Sequence, residues 1–161
     1  MKKLVFTALL SIALTSCHAV ARFYPVQGPL AEQKPLPVLV GKVTAANPNS
    51  GSVFVTLPDG ERCEGKWKAV DAPSKTTTTS ADASSNLAGD WDLIYGSGFY
   101  VSHVLGARSY ARAQMAGGKG TKVEFEMYRP DTSVQSTESH PLQGVAKDDK
   151  GNVYKVTFSP N

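Results

Sequence analysis

Apolar and polar residues alternate along most of the chain between Pro37 and Phe158, with the two-residue period of strands. Val38, Leu39, Val40 and Val43 predict an extended segment to about Ala45, closed by a turn at Pro48-Asn49-Ser50-Gly51. Val53, Val55 and Leu57 then alternate with Ser52, Phe54 and Thr56, which puts the two sets on opposite faces of a strand. Asp59-Gly60 follows, and a glycine between strand-like runs accepts the positive φ of a hairpin turn. From Glu61 to Val70, Cys63, Gly65 and Trp67 share one phase while Arg62, Glu64, Lys66 and Lys68 share the other. The expectation is a three-stranded meander with a charged outer face and Cys63 beside Trp67 inside.

The pattern fails over residues 71–89, where Thr76-Thr77-Thr78-Thr79-Ser80 and its neighbours offer little side chain to bury, so a mobile surface loop is expected. Gly89 to Tyr95 reads as the chain re-entering the body as a strand start, with Asp90 and Asp92 on one face, before a corner at Gly96-Ser97-Gly98. Tyr100, Val101, Val104 and Leu105 have helical spacing and predict two turns ending at Gly106. Beyond it, Ala107, Ser109, Ala111, Ala113 and Met115 alternate with Arg108, Tyr110, Arg112 and Gln114. Val123, Phe125 and Met127 alternate with Lys122, Glu124, Glu126 and Tyr128, and Gly117-Gly118-Lys119-Gly120 joins the two runs as a hairpin. In that register Arg108 and Arg112 face Glu124 and Glu126 as surface pairs of small energetic weight. A second polar connection spans 130–141, and a last hairpin turns at Asp148 to Asn152. Six or seven strands built from hairpins predict a mainly β fold, a small antiparallel barrel or sandwich with one short helix. The alternative is an α+β sheet with a helix on one face.

The start of the chain differs from everything after it. Lys2 and Lys3 precede an apolar run from Leu4 to Leu14, the layout of a secretory signal, and the run is shorter than a membrane-crossing helix requires. Leu14-Thr15-Ser16-Cys17 resembles the lipobox of bacterial cell-envelope lipoproteins, an aliphatic residue and two small residues before a cysteine. The resemblance implies that residues 1–16 are removed and that the Cys17 sulfur carries diacylglycerol, so membrane lipid is the first partner it names. His18 rather than Asp after Cys17 implies delivery to the outer membrane. The same segment admits another reading. Ala19-Val20-Ala21 suits ordinary secretory cleavage before Arg22, which would release a periplasmic or secreted protein. With Cys17 as the first mature residue, Pro25, Gly28, Pro29, Pro35 and Pro37 make residues 17–37 an anchor and tether, and 38–161 a single β-rich domain.

Processing also changes the composition. Loss of Lys2 and Lys3 lowers the formal charge from +3 to +1, which removes the basic surplus expected of a nucleic-acid binder. Cys63 is left as the one thiol and reads as a small apolar residue facing a sheet core. His18, His103 and His140 have no zinc-ligand spacing, the Gly117 loop lacks the ending of a phosphate-binding loop, and Asp148, Asp149 and Asn152 lack the ligand spacing of a calcium loop. No metal or cofactor is expected.

Two function classes follow. In the first, a noncatalytic envelope protein binds an envelope protein or polymer, with Trp91, Tyr95, Phe99 and Tyr100 as candidate contact residues. In the second, an envelope hydrolase of unrecognised type draws on Asp90, Asp92, Ser97 and His103. Convergence of those four on one cleft would favour catalysis, and an aromatic groove without them would favour binding.

Overall fold

The computed structural model describes residues 18–70, 86–105, 107, 109–130 and 141–160. Eight strands run in chain order: β1 (His18–Gln27), β2 (Leu39–Asn47), β3 (Ser50–Thr56), β4 (Arg62–Ala69), β5 (Ser109–Gly117), β6 (Lys122–Arg129), β7 (Gln143–Asp148) and β8 (Val153–Pro160). Each pairs antiparallel with its neighbour, and β1 also pairs with β8, which closes the sheet into an up-and-down barrel. The expected small antiparallel barrel is therefore the fold, and closure leaves no sheet edge unpaired.

The expected tether is where the structure departs most from the sequence reading. His18–Gln27 is the closing strand, paired with β2 from His18↔Thr44 to Phe23↔Leu39 and with β8 from Ala19↔Pro160 onward. Its prolines pointed away from a helix, and Pro25 is accommodated where the β1–β8 register shifts between Pro25 and Gln27. The strand count is thus eight rather than six or seven.

Inside the barrel lie Phe23, Val53, Val55, Cys63, Trp67, Met115, Val123, Phe125, Tyr154 and Val156, all buried. Eight strands enclose a space that side chains can fill, so this interior is a packed core. Close approach needs small residues at set points. A Cβ on Gly51 would run into the Thr44 carbonyl and the Trp67 indole, whose Nε1 donates to that carbonyl at 3.0 Å. The outer wall carries Lys42, Glu64, Lys66, Gln114, Glu124 and Lys147, the inverse of the apolar outer band of a membrane-crossing barrel.

Gly89–Tyr95 is not a strand. Helix α1 (Ala88–Tyr95) and a π-helical turn (Tyr100–Val104) lie against the outside of the wall between β5 and β8. Leu87, Trp91 and Tyr95 repeat at four-residue spacing and all pack on that wall, a helical period too short to separate from a strand in the sequence. The two turns expected to end at Gly106 form instead as this single π-helical turn, with Leu105 N donating to the Tyr100 carbonyl at 2.8 Å, five residues back. Under these helices Tyr110, Tyr128, Val145 and Val153, all from the outward phase of their strands, form a second apolar cluster.

Residues 1–17 and 161, most of the two polar connections, Gly106, Arg108 and His140 lie outside the described residues. So do the expected leader cleavage and the modification of Cys17.

Candidate functional site: a charged groove beside the helix

The candidate catalytic residues separate into structural duties. Asp92 accepts the backbone N–H of Gly98 at 3.1 Å and of Tyr100 at 2.9 Å, stitching α1 to the π turn. Asp90 is buried and pairs with Lys147 across the wall at 3.4 Å. Ser97 is exposed in the corner between the helices, and exposed His103 stacks on Phe99 with centroids 4.5 Å apart. Asp90 and Asp92 do not share a strand face, because the strand assumed for them is helix.

The candidate aromatic residues do come together, but as core. Trp91 is fully buried, stacks on Tyr95 at 5.5 Å and on Phe99 at 6.2 Å, and meets the Tyr128 ring edge-on at 5.6 Å. Tyr100 is buried as well, and Tyr95 and Phe99 are half-buried, stacked at 4.7 Å. Burial pushes the Tyr95 hydroxyl up to about 12. Trp91 and Tyr100 are therefore core rather than exposed contact residues, while Tyr95 and Phe99 keep part of their surface open. These rings hold the helix to the barrel.

What anchors the column chemically is a carboxylate on the outward phase of β6. Glu126 accepts Trp91 Nε1 at 2.7 Å and faces Arg112 Nε at 3.3 Å, in register on β5. The cross-strand pair expected from the sequence forms, yet Glu126 is buried rather than on the surface. Arg112 Nε also donates to the Tyr110 hydroxyl at 2.8 Å. Burial first, and then the negative charge of Glu126, holds that hydroxyl well above the usual tyrosine range.

Beside this cluster a groove of about 440 Å³ opens along β4, β5 and β6, walled at one end by Asn86 and Leu87 at the start of α1. Its floor is two cross-strand rungs. Lys66, Gln114 and Glu124 form one, and Lys68, Arg112 and Glu126 form the other. Both run from cation on β4 to carboxylate on β6, a span of about 10 Å at the usual strand spacing. Lys66 and Lys68 are exposed, while Asn86 Nδ2 donates to Glu124 at 3.4 Å. The period-2 pattern placed Lys66 and Lys68 outward, but nothing in it placed them across from Glu124 and Glu126, because β4 and β5 are separated by the long connection.

A second cluster sits where the hairpins close the opposite end of the barrel. Glu61 accepts Lys119 N at 2.7 Å and the Thr121 hydroxyl at 2.6 Å, in space that a Cβ on Gly117 would fill. Those donors hold its carboxyl below the usual range, the Thr121 hydroxyl most strongly. Asp148 accepts Asn152 N at 2.9 Å, Asn152 Nδ2 at 2.8 Å, Lys150 N at 3.0 Å and the Tyr154 hydroxyl at 2.7 Å. Asn152 Oδ1 in turn accepts Leu30 N at 2.8 Å, fastening the β1–β2 connection over the barrel mouth. These oxygens are engaged by protein donors and serve closure of the end. Among the described residues no three His, Cys, Asp or Glu side chains are grouped to hold a metal.

Comparison with known protein families, curated proteins and solved structures finds no match to this chain.

Proposed function

We propose that the protein is a noncatalytic cell-envelope binding module, anchored through Cys17, whose groove along β4–β6 takes a polar polymer of the envelope bearing both carboxylate and ammonium groups. The observation that carries the reading is the pair of like-oriented rungs. Lys66 and Lys68 offer charge to a carboxylate at one side of an open groove, and Glu124 offers an acceptor to an ammonium group at the other. The occupation of Asp90 and Asp92 by Lys147 and backbone amides supports binding over hydrolysis.

Two measurements test it. Lys66→Ala with Lys68→Ala should abolish most co-sedimentation with purified cell-wall sacculi while changing stability by less than about 0.5 kcal/mol per exposed site. Undiminished co-sedimentation would remove the groove from the proposal. Intact mass and membrane fractionation beside Cys17→Ala test the anchor, which fails if the wild-type mass lacks lipid or the substitution leaves the distribution unchanged.

A further inference from the structure

We propose that the barrel stands on the membrane by the rim at which β1 begins, with the hairpin-closed end directed away from the lipid. The inference rests on the Cys17 anchor and adds an orientation that the anchor alone does not fix.

The length of chain available decides it. His18 is already in the barrel, paired with Thr44, and Ala19 is paired with Pro160. Consecutive Cα atoms are about 3.8 Å apart, so an acylated Cys17 is held at the rim itself rather than at the end of a spacer. With acyl chains in hydrocarbon, the sulfur lies at headgroup level, and the rim formed by the start of β1, the β2–β3 turn and the ends of β4, β6 and β8 must lie there too. Had residues 18–37 been a tether, the barrel could tumble freely. With His18–Gln27 formed as β1, that freedom is gone.

The charges of the two ends add little to this placement. The described residues of the N-terminal rim carry exposed Lys68 and Arg129, and the β2–β3 turn from Ala45 to Asn49 is uncharged. The opposite end gathers Asp59, Glu61, Asp148 and Asp149 together with Arg62, Lys119, Lys122 and Lys150, so its charges balance. An anionic headgroup layer attracts each nearby Lys or Arg by about 1 kcal/mol, so Lys68 and Arg129 add only a little to an orientation set by the length of chain. The two polar connections depart from this same rim, at Val70 and Pro130. Standing upright, the barrel turns its groove sideways, open to a polymer running parallel to the membrane, and lifts the far hairpins about 20 Å above the rim for tilted strands of this length.

The test uses the full-length, lipidated protein in vesicles of phosphatidylethanolamine and phosphatidylglycerol that carry a headgroup-attached nitroxide quencher. In a Cys63→Ala background, a fluorophore is attached at Asn49→Cys on the rim or at Gly118→Cys on the far end, both exposed. Quenching should be several-fold stronger at position 49 than at 118, and a second pair, Ala46→Cys and Lys150→Cys, should repeat the contrast. Equal quenching, or stronger quenching at the far end, overturns the orientation while a lipid mass on Cys17 leaves the anchor standing. A protein without that mass overturns both.

Discussion

The inside of the barrel and the outer wall under α1 are both buried, but they are built from different residues for different reasons. The interior is mostly aliphatic and obeys strand alternation, with Val53, Val55, Val123, Phe125 and Val156 on the inward phase of their strands. The outer cluster is aromatic and polar, with Trp91, Tyr100, Tyr110 and Tyr128 around the Glu126 carboxylate. Any residue can line the interior if it is apolar and fits. The wall also takes apolar Val145 and Val153, but its polar members must be residues that tolerate cover while keeping a partner for their O–H or carboxylate. Tyrosine and a paired glutamate satisfy that condition. One region is the fold itself, and the other is an attachment to it.

The largest expected effect separates the two as cooperative units. Trp91→Ala and Phe125→Ala should each cost about 3–5 kcal/mol as deletions of large buried rings. Their hydrogen-exchange signatures should differ. Phe125→Ala should weaken protection throughout the strands, whereas Trp91→Ala should expose Ala88–Tyr95 amides and leave β1–β4 protected, as for a locally unfolding unit. Identical patterns in the two variants would make the helices an integral part of the barrel.

Glu126→Gln is a milder attack on the same attachment. It keeps an acceptor for Trp91 Nε1 but removes the charge opposite Arg112, and should cost about 1–3 kcal/mol by denaturant titration. A neutral result would mean that shape rather than charge holds the helix.

Titration separates the hairpin end from the buried tyrosines of both regions at opposite pH extremes. Glu61 and Asp59 at the hairpin end are held below their ordinary values of 4.5 and 3.8, so the stability they contribute is present above those values. It should be lost as pH falls through the depressed range, and Glu61→Gln should flatten that acid limb. Tyr110 in the outer cluster and Tyr154 in the interior are raised above 10, chiefly by burial. Their contribution is complete below about pH 10 and declines above it. Tyr110→Phe should flatten the alkaline limb and leave the acid limb unchanged in a pH-dependent melting series, beside a pH-independent cost from the acceptor lost to Arg112 Nε.

The smallest effect concerns Cys63, which is buried in the interior with its Sγ toward the Thr121 carbonyl at 3.9 Å. Burial raises its thiol to about 11, so at neutral pH it should react with a disulfide reagent at the rate of barrel opening. Reaction in Trp91→Ala at the wild-type rate would confirm that loss of the helix leaves the barrel closed. A rate that rises with helix loss would merge the two units.

Much of the interior was legible in the sequence, because burial on one face of a strand imposes a two-residue period that survives without knowledge of partners. Cys63 with Trp67 inside and the Gly117–Gly120 hairpin were legible, whereas of the pairs expected between Arg108, Arg112 and Glu124, Glu126 the register sets Arg112 opposite Glu126 but Gln114 opposite Glu124. The outer cluster was not legible. Tyr110, Glu126 and Tyr128 occupy the phase that reads as solvent-facing, and only the return of residues 88–104 onto the wall buries them. The groove escaped for the same reason, since its two sides are strands separated by forty residues of intervening chain or more.

By itself, the sequence determined that this chain forms antiparallel hairpins with an apolar inner face, because alternation and turn chemistry are local properties. Tertiary structure alone decided that the hairpins close into a ring, since closure depends on β1 meeting β8 across almost the whole chain. It also turned a proline-rich start from a tether into the closing strand. A strand takes its final two neighbours from wherever unpaired N–H and C=O groups remain, and no local pattern records where those are.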